Sequence, residues 1–334
     1  MKKYYIGVDV GSISTNLAVI DNNRNIIETV YIRTEGKPIA SVQKGIQIMK
    51  DKLKKKFPEI IEISGAGATG SARQLTGVIV GADVVRNEIT AHSLAALHVR
   101  SDIQTVIEIG GQDSKIIIIR EGVAIDFAMN TVCAAGTGSF LDQQARRLKI
   151  PIEKFGDLAL QSSEPVSIAG RCTVFAESDM IHKTQLGHAI PDIIRGLCEA
   201  LVRNYLNNVG KGKDIRAPIM FQGGVAANKG IREAFQRTLN LDIYVPKNYD
   251  VMGAIGIAIL AQETMEENPH PSNFYGWDIP ELIFESKGFE CKDCPNHCEV
   301  VEIKQNGQLI ARWGSRCGKW DNLAVKREKA ISFS

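Results

Sequence analysis

The side chains most suited to chemistry are seven cysteines, which are spread unevenly over 334 residues. Cys133, Cys172 and Cys198 lie far apart, whereas the other four share one C-terminal segment. An odd number of cysteines favours thiol or metal chemistry over a framework of disulfides. Cys198 stands on the apolar face of a predicted helix, so we expect it in the core.

The four C-terminal cysteines have spacings typical of a metal site: Cys291, two residues, Cys294, three residues, Cys298 and, after a gap of eighteen residues, Cys317. Between the last two, alternating apolar residues flank Asn306-Gly307, the strongest short signal for a β-hairpin. Counting back from that turn places Cys298 and Cys317 at the same open end, so the hairpin would gather all four sulfur atoms. Zinc fits four thiolates at short spacing, a second iron–sulfur cluster fits the three-cysteine run, and a segment without metal is the third interpretation.

A second kind of motif, a carboxylate followed by a glycine turn, occurs twice. Asp9 precedes Gly11 and Ser12, and ninety-nine residues later Glu108 precedes Gly110-Gly111. Backbone N–H groups at glycine turns, with hydroxyl donors beside them, suit phosphate. A carboxylate at the same place would repel phosphate unless a divalent cation stood between them. The two motifs therefore predict a site for a nucleotide and Mg²⁺.

The elements that must position these motifs form an internal repeat. Each glycine turn joins two strands of a predicted three-strand meander, over residues 4–32 and again over residues 104–127, and helical stretches follow each meander. The sequence thus predicts an α/β fold with two duplicated halves. The predicted divisions are residues 1–98 and 99–249 for the two halves, 250–263 for a Gly/Ala-rich helix that closes the first half, and 269–334 for an extension that carries the four-cysteine hairpin.

Composition excludes several classes of protein. Apolar residues make up 44 % of the chain and charged residues 23 %, which is ordinary for a globular protein and unlike a disordered one. The formal net charge is only +2, which argues against nucleic acid or an acidic membrane as a partner bound by bulk charge. The N-terminus lacks the pattern of a signal peptide and no apolar stretch has the length of a membrane span, so we expect a cytoplasmic protein.

The nucleotide motifs carry a family resemblance. Residues 9–15 resemble the first phosphate motif of the superfamily that joins acetate kinase, sugar kinases, heat-shock chaperone ATPases and actin. Residues 108–114 resemble its second phosphate motif, and residues 221–228 its adenosine motif. The resemblance implies duplicated ribonuclease H-like domains of the actin type, with ATP or ADP between them. The nucleotide contacts that we expect on this basis come from Gly11, Ser12, Ser14, Thr15, Gly110, Gly111, Gly136, Gly138, Gly223, Gly224 and Asn228.

Two further segments are more specific. Residues 130–140, around Cys133, and residues 170–182, around Cys172, are similar to the ATPases that activate 2-hydroxyacyl-CoA dehydratases, a family that includes ATPase subunits of benzoyl-CoA reductase. The resemblance implies a homodimer in which Cys133 and Cys172 of each subunit hold one shared [4Fe-4S] cluster. It also implies an ATP-dependent one-electron donor that reduced ferredoxin or flavodoxin loads and that docks on an iron–sulfur acceptor protein. The implied catalytic residues are Asp9 and Glu108, which would organise Mg²⁺ and water, and Gln112 and Asp113, which would orient the attacking water.

The C-terminal extension departs from the short activators, and it leaves the acceptor open. It resembles the cysteine-rich piece that follows the activator domain in longer, fused relatives, so the acceptor is either a dehydratase or a double-cubane cluster protein of the same group. Two other function classes are compatible with the fold. A small-molecule kinase, such as an amino-sugar kinase, would need a catalytic carboxylate beside an acceptor hydroxyl and no cluster. A nucleotide-gated sensor would bind ATP and use the C-terminal metal site for docking.

Overall fold

Two five-stranded sheets dominate the computed structural model, which describes residues 2–130 and 133–321. Parts of two predicted segments lie outside the described residues. They are the last residues of the extension, 322–334, and Thr131 and Val132 beside Cys133. In the first sheet, residues 4–10 pair antiparallel with residues 14–21, which pair antiparallel with residues 26–33, so the predicted meander is confirmed. Its strands, in the order β3-β2-β1-β4-β5, are β1 (Tyr4–Val10), β2 (Ser14–Asp21), β3 (Ile26–Arg33), β4 (Ile63–Thr69) and β5 (Val84–Val85).

The second sheet repeats this arrangement. Its strands, in the order β10-β9-β6-β7-β8, are β6 (Thr105–Ile109), β7 (Ser114–Arg120), β8 (Val123–Asn130), β9 (Ile219–Gln222) and β10 (Ile243–Tyr244). Strand β6 pairs antiparallel with β7 and parallel with β9, as β1 does with β2 and β4. The matching topologies confirm the internal repeat and the duplicated α/β fold, while the boundaries at residues 98 and 249 stay a prediction.

The helices flank the two sheets, and their ends follow local sequence signals. Helix α1 starts with a proline in its first turn and ends on three lysines, whose charges suit a helix C-terminus. The Asn87 side chain accepts a hydrogen bond of 3.0 Å from the Thr90 backbone N–H and caps α3. The described helices are α1 (Pro38–Lys56), α2 (Arg73–Val80), α3 (Glu88–Val99), α4 (Gly138–Leu148), α5 (Ile152–Ala159), α6 (Thr173–Gln185), α7 (Ile190–Asn208), α8 (Lys229–Leu239) and α9 (Met252–Glu267).

Helix α9 is the predicted Gly/Ala-rich helix, and it packs on the first sheet and on α3. Small residues make this close approach possible. A Cβ atom on Gly7 would lie 2.0 Å from the Ala254 carbonyl oxygen, and one on Gly256 would lie 1.8 Å from the Ala91 carbonyl oxygen. The apolar core around α9 includes residues of both sheets, Tyr5 from the first and Ile117 from the second among them. The two halves thus share one apolar core.

The extension forms a third sheet, in which Asn306 and Gly307 both have positive φ angles of 49° and 81° and close the predicted hairpin. The sequence did not predict β11, which adds a third antiparallel strand. Trp277 Nε1 donates a hydrogen bond of 2.8 Å to the Ile61 carbonyl oxygen, so the preceding segment packs on the first half. The strands are β11 (Phe284–Glu290), β12 (Glu299–Gln305) and β13 (Gln308–Trp313), paired in that order. Among the described helices, none combines the length and the apolar character that crossing a membrane requires.

Candidate functional site

A cleft of about 670 Å³ opens between the two halves, and both glycine turns line it. Most of the predicted site residues border this space. Thr15 and Gly136 do not: the Thr15 hydroxyl lies 3.0 Å from that of Thr34, and Gly136 packs against Asn204. The predicted residues that line the cleft are Asp9, Gly11, Ser12, Ser14, Glu108, Gly110, Gly111, Gln112, Asp113, Gly138, Gly223, Gly224 and Asn228.

The two glycine turns are built alike and touch each other. The Gly11 N–H donates to the Ser14 carbonyl oxygen at 2.9 Å, and the Gly110 N–H donates to the Asp113 carbonyl oxygen at 3.0 Å. A Cβ atom on Gly111 would lie 2.4 Å from Cγ1 of Ile13, a residue of the first turn. A phosphate chain bound at one turn would therefore also lie beside the other.

Two carboxylates share one ammonium group in this cleft, and a third carboxylate, Asp9, lines the same space. Lys115 Nζ lies 3.0 Å from Glu108 Oε2 and 2.8 Å from Asp113 Oδ2. Burial raises the pKa of Glu108 to about 7, against the effect of Lys115, and Asp113 and Asp9 raise it further. Burial likewise raises the pKa of Asp9 to about 6. Burial alone would lower the pKa of Lys115, but Glu108 and Asp113 outweigh it and raise that pKa, so the lysine stays charged.

This surplus of negative charge fits a divalent cation. Asn16 lies opposite Asp9 in the β1–β2 ladder and lines the cleft, and its buried Oδ1 atom has no hydrogen-bond partner among the described residues. Carboxylate and other oxygen ligands are those that Mg²⁺ takes in proteins, together with phosphate oxygens. Asp9 and Glu108 are therefore suited to hold Mg²⁺, directly or through water.

The raised pKa of Glu108 predicts how pH affects stability without metal or nucleotide. The folded protein holds this proton more tightly than the unfolded chain, so the free energy of unfolding should fall as pH rises from 4.5, the ordinary pKa, to about 7. The loss amounts to roughly 3 kcal/mol at most, because one pKa unit corresponds to ~1.4 kcal/mol. Urea unfolding in EDTA from pH 5 to 7.5 would measure it. Glu108→Gln should remove much of this loss relative to wild type, and parallel pH profiles for the two proteins would contradict the assignment.

The two predicted cluster cysteines lie side by side on the second half. Cys133 Sγ is 4.0 Å from the carbonyl oxygen of Arg171, the residue before Cys172. Asn204 bridges the two segments, since its Nδ2 donates to the Gly170 carbonyl oxygen at 2.6 Å and lies 3.9 Å from Cys133 Sγ. Both thiols are partly exposed. A [4Fe-4S] cluster takes four cysteine ligands, and these two thiols are half of that number. The arrangement fits a cluster that is shared with a second subunit.

Each of these cysteines immediately precedes a helix. Cys172 is the N-terminal cap residue of α6, and Cys133 precedes the short 3₁₀ helix Ala134–Gly136, which leads into α4. Helix N-termini stabilise anionic groups such as thiolates. The start of α4 is also tied to the second glycine turn, because the N–H groups of Gly138 and Ser139 donate to the carbonyl oxygens of Gly110 at 2.9 Å and Gly111 at 2.8 Å. Residues 133–139 therefore connect a thiol directly to the cleft.

Comparison with known proteins shows the family of this chain. Residues 6–261 match the model of the BadF/BadG/BcrA/BcrD ATPase family. The chain belongs to this family. It is 31 % identical over 265 residues to the (R)-2-hydroxyglutaryl-CoA dehydratase activating ATPase of Acidaminococcus fermentans, with 78 % of this chain and 98 % of the relative covered. The activator of lactoyl-CoA dehydratase of Anaerotignum propionicum is also 31 % identical, over 268 residues, with 79 % and 99 % covered.

A solved structure supports the same family fold. The activator of the 2-hydroxyisocaproyl-CoA dehydratase from Clostridium difficile, with bound ADPNP, superimposes with a TM-score of 0.72 at 29 % identity and covers 79 % of this chain and 96 % of its own. The resemblance to dehydratase activators and the actin-type fold are thus confirmed. The family match ends at residue 261, before the extension.

Two residues that line the cleft of this BadF/BadG/BcrA/BcrD ATPase, Lys115 and His92, were not predicted from the sequence. The signal that could have identified Lys115 is its position: it is a charged residue in an otherwise apolar strand, and a buried charge requires a partner. His92 gave no sequence signal. Burial lowers its pKa to about 3, so its ring is neutral, and Gln222 Nε2 lies 3.0 Å from its Nδ1. A Cβ atom on Gly253 would lie 2.2 Å from Asp9 Oδ2 and 3.2 Å from His92 Nε2, so all three pack closely.

Of the remaining cysteines, Cys198 lies where the sequence predicted it, whereas the four C-terminal sulfur atoms are not gathered at one point. Cys198 is buried in the core of the second half, and burial raises its pKa to about 12. Cys298 lies at the open end of the hairpin, where the N–H of Arg316, the residue before Cys317, donates to its sulfur at 3.5 Å. Within residues 2–130 and 133–321, no three His, Cys, Asp or Glu side chains already form a metal-binding group.

Proposed function

We propose that this chain, as a homodimer, couples ATP hydrolysis to the transfer of one low-potential electron from a shared [4Fe-4S] cluster to an iron–sulfur partner enzyme. The observation that carries the proposal is the pair of backbone hydrogen bonds from Gly138 and Ser139 to the second glycine turn. They connect the segment that bears Cys133 to the place where phosphates would bind. The relatives named as dehydratase activators support ATP-dependent activation of a partner.

Cys133 and Cys172 would supply half of the cluster's ligands, and the same two residues of a second subunit the other half. When bound, the cluster supplies a store for one electron whose potential depends on local charge and exposure. Cys172 is the N-cap residue of α6 and Cys133 that of the short 3₁₀ helix, and the positive ends of backbone dipoles at helix N-termini favour added negative charge nearby. A shift of α4 with the glycine turn would change that stabilisation, because the dipole effect falls off within one helical turn.

An exposed apolar surface beside the thiols supports the homodimer. Strand β8 is at the edge of its sheet, and its alternate side chains Val123, Ile125, Phe127 and Met129 are 61 %, 61 %, 54 % and 41 % exposed. The strand ends at Asn130, which hydrogen-bonds to the backbone of Cys133 through both of its amide atoms. Contiguous exposed apolar residues mark interaction surfaces. A second subunit that covers β8 would approach Cys133 at the same time.

The cleft residues divide the work on ATP. The N–H groups of the two glycine turns would bind phosphate oxygens, and Asp9 and Glu108 would hold Mg²⁺, which neutralises phosphate charge. Gly223 packs so closely that a Cβ atom would lie 2.4 Å from the Ile109 carbonyl oxygen. Gly223 and Gly224 both line the cleft and would pack on adenosine. Exposed Gln112 and the Lys115-bound Asp113 would orient the attacking water.

Metal and mass analysis of anaerobically purified protein tests this proposal. We expect a dimer with about four iron and four sulfide ions per two chains in the cluster, and ATP hydrolysis by the same preparation. Reduced ferredoxin or flavodoxin would load the electron, and a dehydratase or a double-cubane cluster protein would accept it. An iron-free monomer that phosphorylates a sugar would instead identify a small-molecule kinase.

A further inference from the structure

The ends of two strands in the third sheet bring a pair of cysteines together. Glu290 pairs with Glu299 in the β11–β12 ladder, and the next residues, Cys291 and Cys298, continue this register. The Cys291 N–H donates to the Cys298 carbonyl oxygen at 2.8 Å. Residues directly opposite in an antiparallel ladder point to the same face, with Cβ atoms about 5 Å apart. The two thiols are therefore neighbours before any metal binds.

The turn that carries Cys317 lies against the start of β12. Gly314 makes this possible: it has a φ of 110°, and a Cβ atom there would lie 2.5 Å from the Glu299 carbonyl oxygen. The Ser315 hydroxyl donates to Asp321 Oδ1 at 2.9 Å and fixes the turn internally. Cys317 is thus held next to the strand end that bears Cys298.

Three contacts, each involving at least one side chain, hold this turn against the segment 291–298. The Arg316 N–H donates to Cys298 Sγ at 3.5 Å, and Trp320 Nε1 donates to Cys291 Sγ at 3.2 Å. Lys319 forms an ion pair with Asp293, the residue before Cys294. N–H donors aimed at sulfur atoms are the outer-shell contacts that orient and stabilise metal-bound thiolates. Two of the four cysteine sulfurs already have such donors.

We propose that Cys291, Cys294, Cys298 and Cys317 bind one zinc ion, which fastens the segment 291–298 to the turn 314–321. Four sulfurs around one ion, at Zn–S distances of ~2.3 Å, are ~3.8 Å apart. The opposed pair of Cys291 and Cys298 suits this short spacing better than the wider spacing of ligands around an iron–sulfur cube. Cys294 and Cys317 are exposed, so their side chains are able to turn inward to complete the set.

Charge and proton balance agree with this assignment. Binding releases the four thiol protons to solvent, and four thiolates with one Zn²⁺ carry a net charge of −2. Lys319 forms an ion pair with Asp293 beside Cys294, so its positive charge lies close enough to offset part of that charge. A closed set of four cysteine ligands leaves no open position, so the ion is structural.

Metal analysis of the full chain, purified with zinc supplied and without chelator, tests the site. We expect about one zinc ion per chain in wild type, and loss of that zinc in Cys298→Ser. Cys294→Ser is a second variant whose side chain is exposed, so loss of zinc there reports a lost ligand and not a disturbed core. Cys133→Ala is the matched control and should keep its zinc.

Cobalt substitution gives a second readout. Co²⁺ bound by wild type should show the intense absorption of a tetrahedral thiolate site, and Cys294→Ser should not. A wild-type chain that retains no zinc, or one that holds iron through these four cysteines, would overturn the proposal. The cluster proposed for Cys133 and Cys172 is measured separately as iron, so either proposal is able to fail without the other.

Discussion

A Cys133→Ala protein, purified without oxygen, should lack the cluster iron that wild type holds and should deliver no electron to an acceptor. A shared four-thiolate site would lose two ligands at once, one from each subunit, because the substitution is present in both copies. The nucleotide cleft should survive, since Cys133 does not line it. Iron and sulfide assays, with ATP binding measured on the same sample, check this result.

Cys294→Ala is the matched control for this substitution. It removes an exposed thiol from the third sheet, far from Cys133 in sequence, and should leave the cluster iron at the wild-type level. Cys172→Ala should behave like Cys133→Ala, because the two residues are expected to ligate the same cluster. If Cys133→Ala retained the full iron content, the assignment of the ligands would be wrong.

An Asp9→Asn protein should hydrolyse ATP more slowly by a factor on the order of 10²–10³, the loss typical when one electrostatic contact to the reacting centre is removed. Asp9 is buried beside the first glycine turn and faces the same cleft as Glu108. Its amide replacement keeps the shape but removes the charge that would attract Mg²⁺. Steady-state hydrolysis over a range of Mg²⁺ concentrations would measure the effect, and excess Mg²⁺ should restore only part of the rate.

Asp102→Asn is the control for a change of charge. Asp102 is exposed, lies outside the cleft and pairs with Arg100 at 2.7 Å. Surface ion pairs contribute roughly 0–1 kcal/mol, so its replacement should alter neither hydrolysis nor folding appreciably. Equal turnover in Asp9→Asn and Asp102→Asn would show that Asp9 does not act on the nucleotide.

The fold was predictable largely because the sequence repeats itself. The Asp9 and Glu108 turns recur within matching strand patterns, and this repeat predicted that they would face one site; both residues line the same cleft. Thr15 shows the limit of motif matching: side chains alternate across a strand, so Ser14 lines the cleft while Thr15 points the other way and pairs with Thr34. Gly136 was predicted to contact the nucleotide but packs against Asn204, a residue distant in sequence, and lies outside the cleft lining.

Long-range contacts account for the other differences. Lys115 is a cleft residue because its ammonium group pairs with Glu108 and Asp113, and only the fold of the turn brings both carboxylates to it. Strand β11 has exposed polar positions and glycine in its interior, so its own sequence is a weak strand signal, and its pairing with β12 determines its structure. The helix that follows Cys172 was likewise absent from the prediction, although it provides the N-terminus at that thiol.

The most direct test of the proposed coupling is the rate at which an iron chelator removes iron from the anaerobically prepared dimer, with and without MgATP. The hydrogen bonds of Gly138 and Ser139 to the second glycine turn should transmit nucleotide binding to Cys133 and change the exposure of the cluster. We therefore expect a chelation rate that differs severalfold between nucleotide-free and MgATP-bound protein, and no such difference in Asp9→Asn. Iron release at one rate in all nucleotide states would contradict it.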